Sequence, residues 1–315
     1  MTLPAFLQQA PPSVAVDVAP ERVAVVRVER RGETLAIAAH GVEALPAGAV
    51  TGALASPNMP DIGAVAAAIS RAMTAAAARA ARVSLIVPDT IARVSLVKFE
   101  SLPAKAADLD QLIRWQIRKT TPFPLEEAAL TYTAGLSAPG AHEFIVTVAR
   151  RDVVAQYEKA CELAGAHAGV VDLATFNVIN AVLGNGGASS GDWLLVHAAP
   201  SYVSLAVLRD GHLIFYRTRG EESEGSVADL VHQTAMYYED RLHGQRFGRV
   251  LLAGGTTVAG ADQLRHELSE RLGLEVSNVD PFLSASPAAR LGASPALADA
   301  LAPGIGMLLR ERAAS

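Results

Sequence analysis

Val14-Ala15-Val16-Asp17-Val18-Ala19-Pro20 and Leu194-Leu195-Val196-His197-Ala198-Ala199-Pro200 read as one short unit written twice, 180 residues apart (197 − 17). In each, an apolar run reaches a polar residue, passes through Ala-Pro and returns as a second run, Val23 and Val25–Val28 in one and Val203, Leu205 and Val207 in the other. Short apolar runs rich in β-branched residues predict buried strands. Proline has no N–H for a strand ladder, so Ala-Pro predicts a turn between them. A strand–turn–strand unit repeated at this distance predicts two related lobes in one chain.

The composition supports an α/β core. Half of the 315 residues are hydrophobic and aromatics are few, so Ala, Val and Leu supply most of the buried volume. A formal charge of −5 without a basic stripe argues against a nucleic-acid partner. Cys161 is the only cysteine, which excludes an intramolecular disulfide and fits a buried small side chain on a helix. Met1–Ser13 lacks the basic and apolar segments of a secretory signal, and the Ala-rich stretch 64–81 carries Arg71 and Arg79, which makes it a poor membrane span. A cytoplasmic protein is expected.

Working outward, Asp61 is placed to cap a helix reaching about residue 80, and Val83–Val87 predicts a strand ended by Pro88. A second kind of segment follows. Arg93–Phe99 has strand character, and Leu109, Leu112, Ile113, Gln116 and Ile117 share a helix face that Pro122 terminates. Leu130–Thr133 and Glu143–Ala149 predict strands, and Asp152 is placed to cap a helix bearing Val153, Val154, Tyr157 and Cys161. The expected domains are residues 14–87 plus 169–190 as a first lobe, 88–168 as an αβ insert, and 191–310 as a second lobe. Gly184–Gly191 is the Gly/Ser-rich boundary. Beyond it come a hairpin at Asp210-Gly211, a long amphipathic helix through Val227–Leu242, and a strand, Arg249–Ala253, running into Gly254-Gly255. The apolar stretch Ala296–Leu309, interrupted by Pro303-Gly304, predicts a core helix.

The duplication and the late Gly-Gly turn resemble the actin-like ATPase superfamily, whose lobes are ribonuclease H-like. The segment 112–127, Leu-Ile-Arg-Trp-Gln-Ile-Arg-Lys-Thr-Thr-Pro-Phe-Pro-Leu-Glu-Glu, narrows the resemblance to the PilM family of type IV pilus assembly proteins. Tyr237-Tyr238 and Val279-Asp280-Pro281-Phe282 are similar to later segments of that family. The resemblance covers about residues 14 to 310 and implies an insert placed as in FtsA. It further implies an ATP-binding protein that holds the cytoplasmic tail of a PilN-like inner-membrane protein.

In that family both phosphate turns read Asp-x-Gly. Here Ala19 and Ala199 stand at the glycine positions, Pro20 and Pro200 follow them, and His197 stands where the second acid is expected. A phosphate cradle needs close backbone approach and N–H donors; the alanines obstruct the first and the prolines remove the second, while His197 removes an anionic oxygen ligand for Mg²⁺. Asp17, Gly254, Gly255 and Thr256 remain as residual nucleotide-side residues. Asp17 has two readings, a Mg²⁺ contact through water or a strand-end residue; Gly254-Gly255 is either a nucleotide contact or a tight turn. His197 reads as a hydrogen-bonded histidine, since no second His or Cys lies at metal-ligand spacing, and no metal or catalytic residue is assigned. Trp115 and Phe123 are the partner-groove candidates, lying between the insert and the rest of the first lobe, or else pack inside the insert.

Two functions follow. One is a scaffold with weak or no ATP hydrolysis that meets the inner membrane only through its partner. The other is an active Mg-ATP-dependent ATPase. A homo-oligomer is compatible with both.

Overall fold

The computed structural model describes residues 12–31, 34–79, 81–138, 140–184, 191–220, 225–257, 260–282 and 294–313. The interior of the Gly/Ser boundary, 185–190, lies outside them.

The repeat governs the architecture. Strands β1 (Val14–Ala19), β2 (Arg22–Arg31), β3 (Thr34–Ala44), β4 (Arg82–Val87) and β8 (His167–Leu173) form one sheet in the order β3-β2-β1-β4-β8. Strands β9 (Trp193–Ala199), β10 (Tyr202–Arg209), β11 (His212–Gly220), β12 (Arg249–Ala253) and β13 (Val276–Asn278) form a second, β11-β10-β9-β12-β13. In both, the first three strands are an antiparallel meander and the last two join in parallel. The register repeats as well: Asp17 lies opposite Ala24, and His197 opposite Ser204.

The first-lobe sheet is apolar on both faces because helices cover both. Val14, Val16 and Val18 face a core shared with α1 (Ile62–Ala75) and α3 (Arg151–Leu163), and Ala15 faces α7 (Pro295–Ala313). In the second sheet, Leu194 and Val196 face α5 (Val227–Leu242) and α6 (Ala261–Leu272), while Trp193 and Leu195 face α4 (Ala174–Gly184). Helix α4 therefore leaves the first lobe to cover the second, and α7 leaves the second to cover the first. Gly306 lets the two approach: a Cβ there would stand 1.7 Å from the Asn177 carbonyl oxygen. Pro303 does not break α7, contrary to the interruption read from the sequence. The lost backbone hydrogen bond is outweighed by burial of Leu301, Ile305 and Leu308.

The insert carries its own sheet, β5-β7-β6, from β5 (Ala92–Phe99), β6 (Ala128–Ala138) and β7 (Ala141–Arg150), with α2 (Ala106–Ile117) packed on it through Ile113 and Ile117. Helix α3, grouped with the insert by the sequence reading, buries Val153, Tyr157, Ala160 and Cys161 in the first-lobe core. Asp61 caps α1 by accepting from the Ala64 N–H at 3.0 Å. Asp152 instead sits inside the first turn of α3 and pairs with Arg150.

Candidate functional site

The Ala-Pro turns bring the ends of β1 and β9 to the junction of the lobes. Asp17, near the end of β1, is 2% exposed, and Arg22 at the start of β2 folds back on it at 3.1 Å. Arg22 also pairs with Glu21 at 2.7 Å and reaches the Ala300 carbonyl at 3.4 Å. Burial raises the Asp17 carboxyl to about 6, and the Arg22 charge offsets only part of that effect. A carboxyl raised on folding favours the folded state most at low pH, and the advantage is lost as pH rises through about 6. Asp17→Asn should therefore gain on the wild type by roughly 1–2 kcal/mol between pH 5 and pH 8. Urea unfolding at the two pH values checks this, and a pH-independent difference would place the Asp17 pKa in the ordinary carboxylate range.

At the equivalent place in the second lobe stands His197. Its Nδ1 lies 2.7 Å from Thr175 Oγ1, at the start of α4. Thr175 also donates its N–H to Asp89 Oδ1 at 3.0 Å, and its hydroxyl donates to Asp89 Oδ2. Ser204 of β10 donates to the same Oδ2 at 2.7 Å, and its oxygen lies 2.9 Å from Thr218 Oγ1 of β11. Burial acts to raise the Asp89 carboxyl, but His197 at 3.8 Å and the Thr175 donors outweigh it and hold the group below its ordinary range. The Asp89 carboxyl is fully enclosed and takes three hydrogen bonds from Thr175 and Ser204.

The turn after β12 closes the same region. Gly254 has φ 72° and faces the β9 end so closely that a Cβ would meet the Ala198 carbonyl oxygen at 2.2 Å. Asp299 of α7 accepts from the Gly254 N–H at 2.9 Å, the Thr256 N–H at 2.9 Å and the Thr256 hydroxyl. Gly255 opens the short 3-10 turn Gly255–Thr257.

Trp115 and Phe123 do come together, lining a concavity of about 680 Å³ with Arg114, Arg118, Pro124, Leu125 and Glu126. Every one of those residues belongs to the insert, so the hollow is on its surface, apart from the junction with the first lobe. Trp115 is 69% exposed, and Phe123 leans on the insert core. A separate groove of about 460 Å³ lies where the insert meets both lobes. Thr131–Gly135 of β6 form one rim, Phe176, Ile179 and Leu183 of α4 an apolar wall, and Leu208 and Leu213 the second-lobe side. Asp172 and Arg310 pair with each other at its polar end. Strand β6 is an edge of its sheet. Sequence reasoning missed this groove, although the mixed exposure along β6 is the pattern of an edge strand.

Residues 15–223 match the family model described as type IV pilus assembly protein PilM. The chain belongs to that family. Its fold is similar to that of the solved PilM-PilN type IV pilus biogenesis complex, with a TM-score of 0.80 at 15% identity, over 95% of this chain and 98% of that one. A Bacteroides thetaiotaomicron protein with an actin-like ATPase fold aligns with a TM-score of 0.52 at 9% identity, over 87% of this chain and 95% of the other. No curated protein matches the sequence. The protein is a PilM-family type IV pilus assembly protein with a two-lobed actin-like fold and an αβ insert in its first lobe.

An actin-like ATPase fold implies Mg-ATP between the lobes, and the residues present at the turns do not fit it. Ala19 and Ala199 carry a Cβ where the backbone must approach a phosphate, and Pro20 and Pro200 have no N–H to donate. Asp17 is engaged by Arg22, and the Gly254 and Thr256 N–H groups point at Asp299. Among the described residues, no helix is long and apolar enough to cross a membrane.

Proposed function

We propose that this PilM-family protein is a scaffold of type IV pilus assembly that holds the extended cytoplasmic tail of a PilN-like inner-membrane protein without hydrolysing ATP. It works in the cytoplasm and meets the inner membrane through that partner. The observation that carries the proposal is the β6 edge forming the rim of an apolar groove. An edge strand offers backbone N–H and C=O groups to an incoming strand, and neighbouring apolar pockets select alternate side chains. The similarity to the solved PilM-PilN complex supports the partner class.

A fluorescent peptide spanning the tail of the PilN-like protein from the same genome provides the test. Thr133 is exposed on the rim, so Thr133→Trp fills the groove without disturbing the insert core. It should weaken binding at least about tenfold, or roughly 1.4 kcal/mol. Trp115→Ala, in the separate concavity, should leave affinity unchanged. The reverse pattern would move the site to the Trp115 hollow, and absence of binding by the wild type would remove the proposal.

A further inference from the structure

The geometry points to a built-in lock: five side chains, four of them buried, join the two lobes and hold the walls of the partner groove in place, with no nucleotide required. The inference rests on the groove reading for its functional half only. Asp89 comes from the 3-10 turn Asp89–Ile91, which the sequence reading put at the start of the insert but whose Ile91 is buried in the first-lobe core. Thr175 comes from the start of α4, whereas His197, Ser204 and Thr218 come from three strands of the second lobe. All lie out of solvent except Thr218, which is partly buried.

The hydrogen bonds have a definite direction. Each hydroxyl owns one proton, and those of Thr175 and Ser204 are both spent on the Asp89 carboxylate. His197 Nδ1 must then donate to Thr175 Oγ1, and the Thr218 hydroxyl must donate to Ser204 Oγ. Two donor chains, one from β9 through α4 and one from β11 through β10, thus converge on one anion. These bonds hold together only while the lobes keep their present separation.

The same elements build the groove. Thr175 immediately precedes Phe176 on α4, which lines the groove with Ile179 and Leu183. Ser204 shares β10 with Leu208, and Thr218 shares β11 with Leu213. Phe176, Ile179 and Leu183 share one core with Leu208 and Leu213, so opening the lock moves the β6 rim, on the Asp89 side, relative to that common wall. Asp89, Thr175 and Ser204 are positioning residues, since none of them lines the groove.

Hydrogen–deuterium exchange and peptide titration together test the lock. Thr175→Val keeps the side-chain shape and removes both hydroxyl links, so the chain should fold while exchange quickens at the Asp89–Ile91 turn and the start of α4. Tail-peptide affinity should fall roughly five- to a hundredfold, the usual range of coupling between sites, and Thr175→Ser should restore both. Ser204→Ala is a second, independent probe and should act in the same direction. In the wild type, millimolar Mg-ATP should alter neither exchange nor affinity. Unchanged exchange in both variants, or slowed exchange across the cleft on adding Mg-ATP, would overturn the lock. Faster exchange with unchanged affinity would overturn its link to the groove, and if the wild type binds no peptide the groove reading fails while exchange still decides the lock.

Discussion

Gly306→Val is expected to leave little or no folded protein. A Cβ at 306 falls 1.7 Å from the Asn177 carbonyl oxygen, 2.7 Å from its carbon and 2.8 Å from the Ala181 nitrogen. Every one of those atoms is backbone of α4, so no rotamer change relieves the clash and the two helices must move apart. The helices cannot separate locally, because α7 is buried on the first-lobe sheet through Leu301, Ile305 and Leu308, and α4 on the second through Val178 and Val182. Separation would strip apolar contacts from both lobes, so the cost should exceed the roughly 1–3 kcal/mol of ordinary overpacking. Soluble yield and circular dichroism melting report the result. Gly220→Ala is the control, since a Cβ there meets nothing within 4 Å. A Gly306→Val protein melting like the wild type would show that the α4–α7 crossing has slack.

The duplicated lobes were legible because the repeat is local: each strand–turn–strand unit lies within about fifteen residues, and buried strands announce themselves by apolar runs. Even the equivalence of Asp17 and His197 carries through to the ladder register. The insert was legible for the same reason, its strands and its helix each having a clear period. Interactions joining distant segments were not. Nothing near Asp89 marks it as the acceptor for Thr175 and Ser204, 86 and 115 residues away. The family pattern drew attention to the residues missing from the phosphate turns, while the side chains that occupy the junction instead, Arg22 and Asp299, carry no such pattern. Trp115 was readable as lying off the apolar face of its helix, and at 69% exposed it does. That it shares a hollow with Phe123 required the course of the loop after Pro122. Pro303 misled the reading because the local cost of a helical proline is visible in sequence, and the burial that outweighs it comes from β1 and β2.

Asp299→Ala is expected to destabilise the protein by about 3 kcal/mol, since it leaves buried donors facing a void. The carboxylate, 8% exposed, accepts the Gly254 and Thr256 N–H groups and the Thr256 hydroxyl, and it lies in the second turn of α7. It thus ties the helix that covers the first lobe to the turn that ends β12 of the second. Its acceptor role distinguishes it from a merely well-packed side chain. Asp299→Asn keeps one oxygen for the turn and should cost less, about 1–2 kcal/mol. Thr256→Val removes one donor, so the Asp299→Ala, Thr256→Val pair should be less destabilised than the sum of the single variants by about 1 kcal/mol. Urea unfolding of the four proteins gives that coupling directly. Additive losses would mean that the hydroxyl contact contributes nothing. Equal losses for Asp299→Ala and Asp299→Asn would mean that the turn depends on the negative charge, and not on an acceptor in the right place.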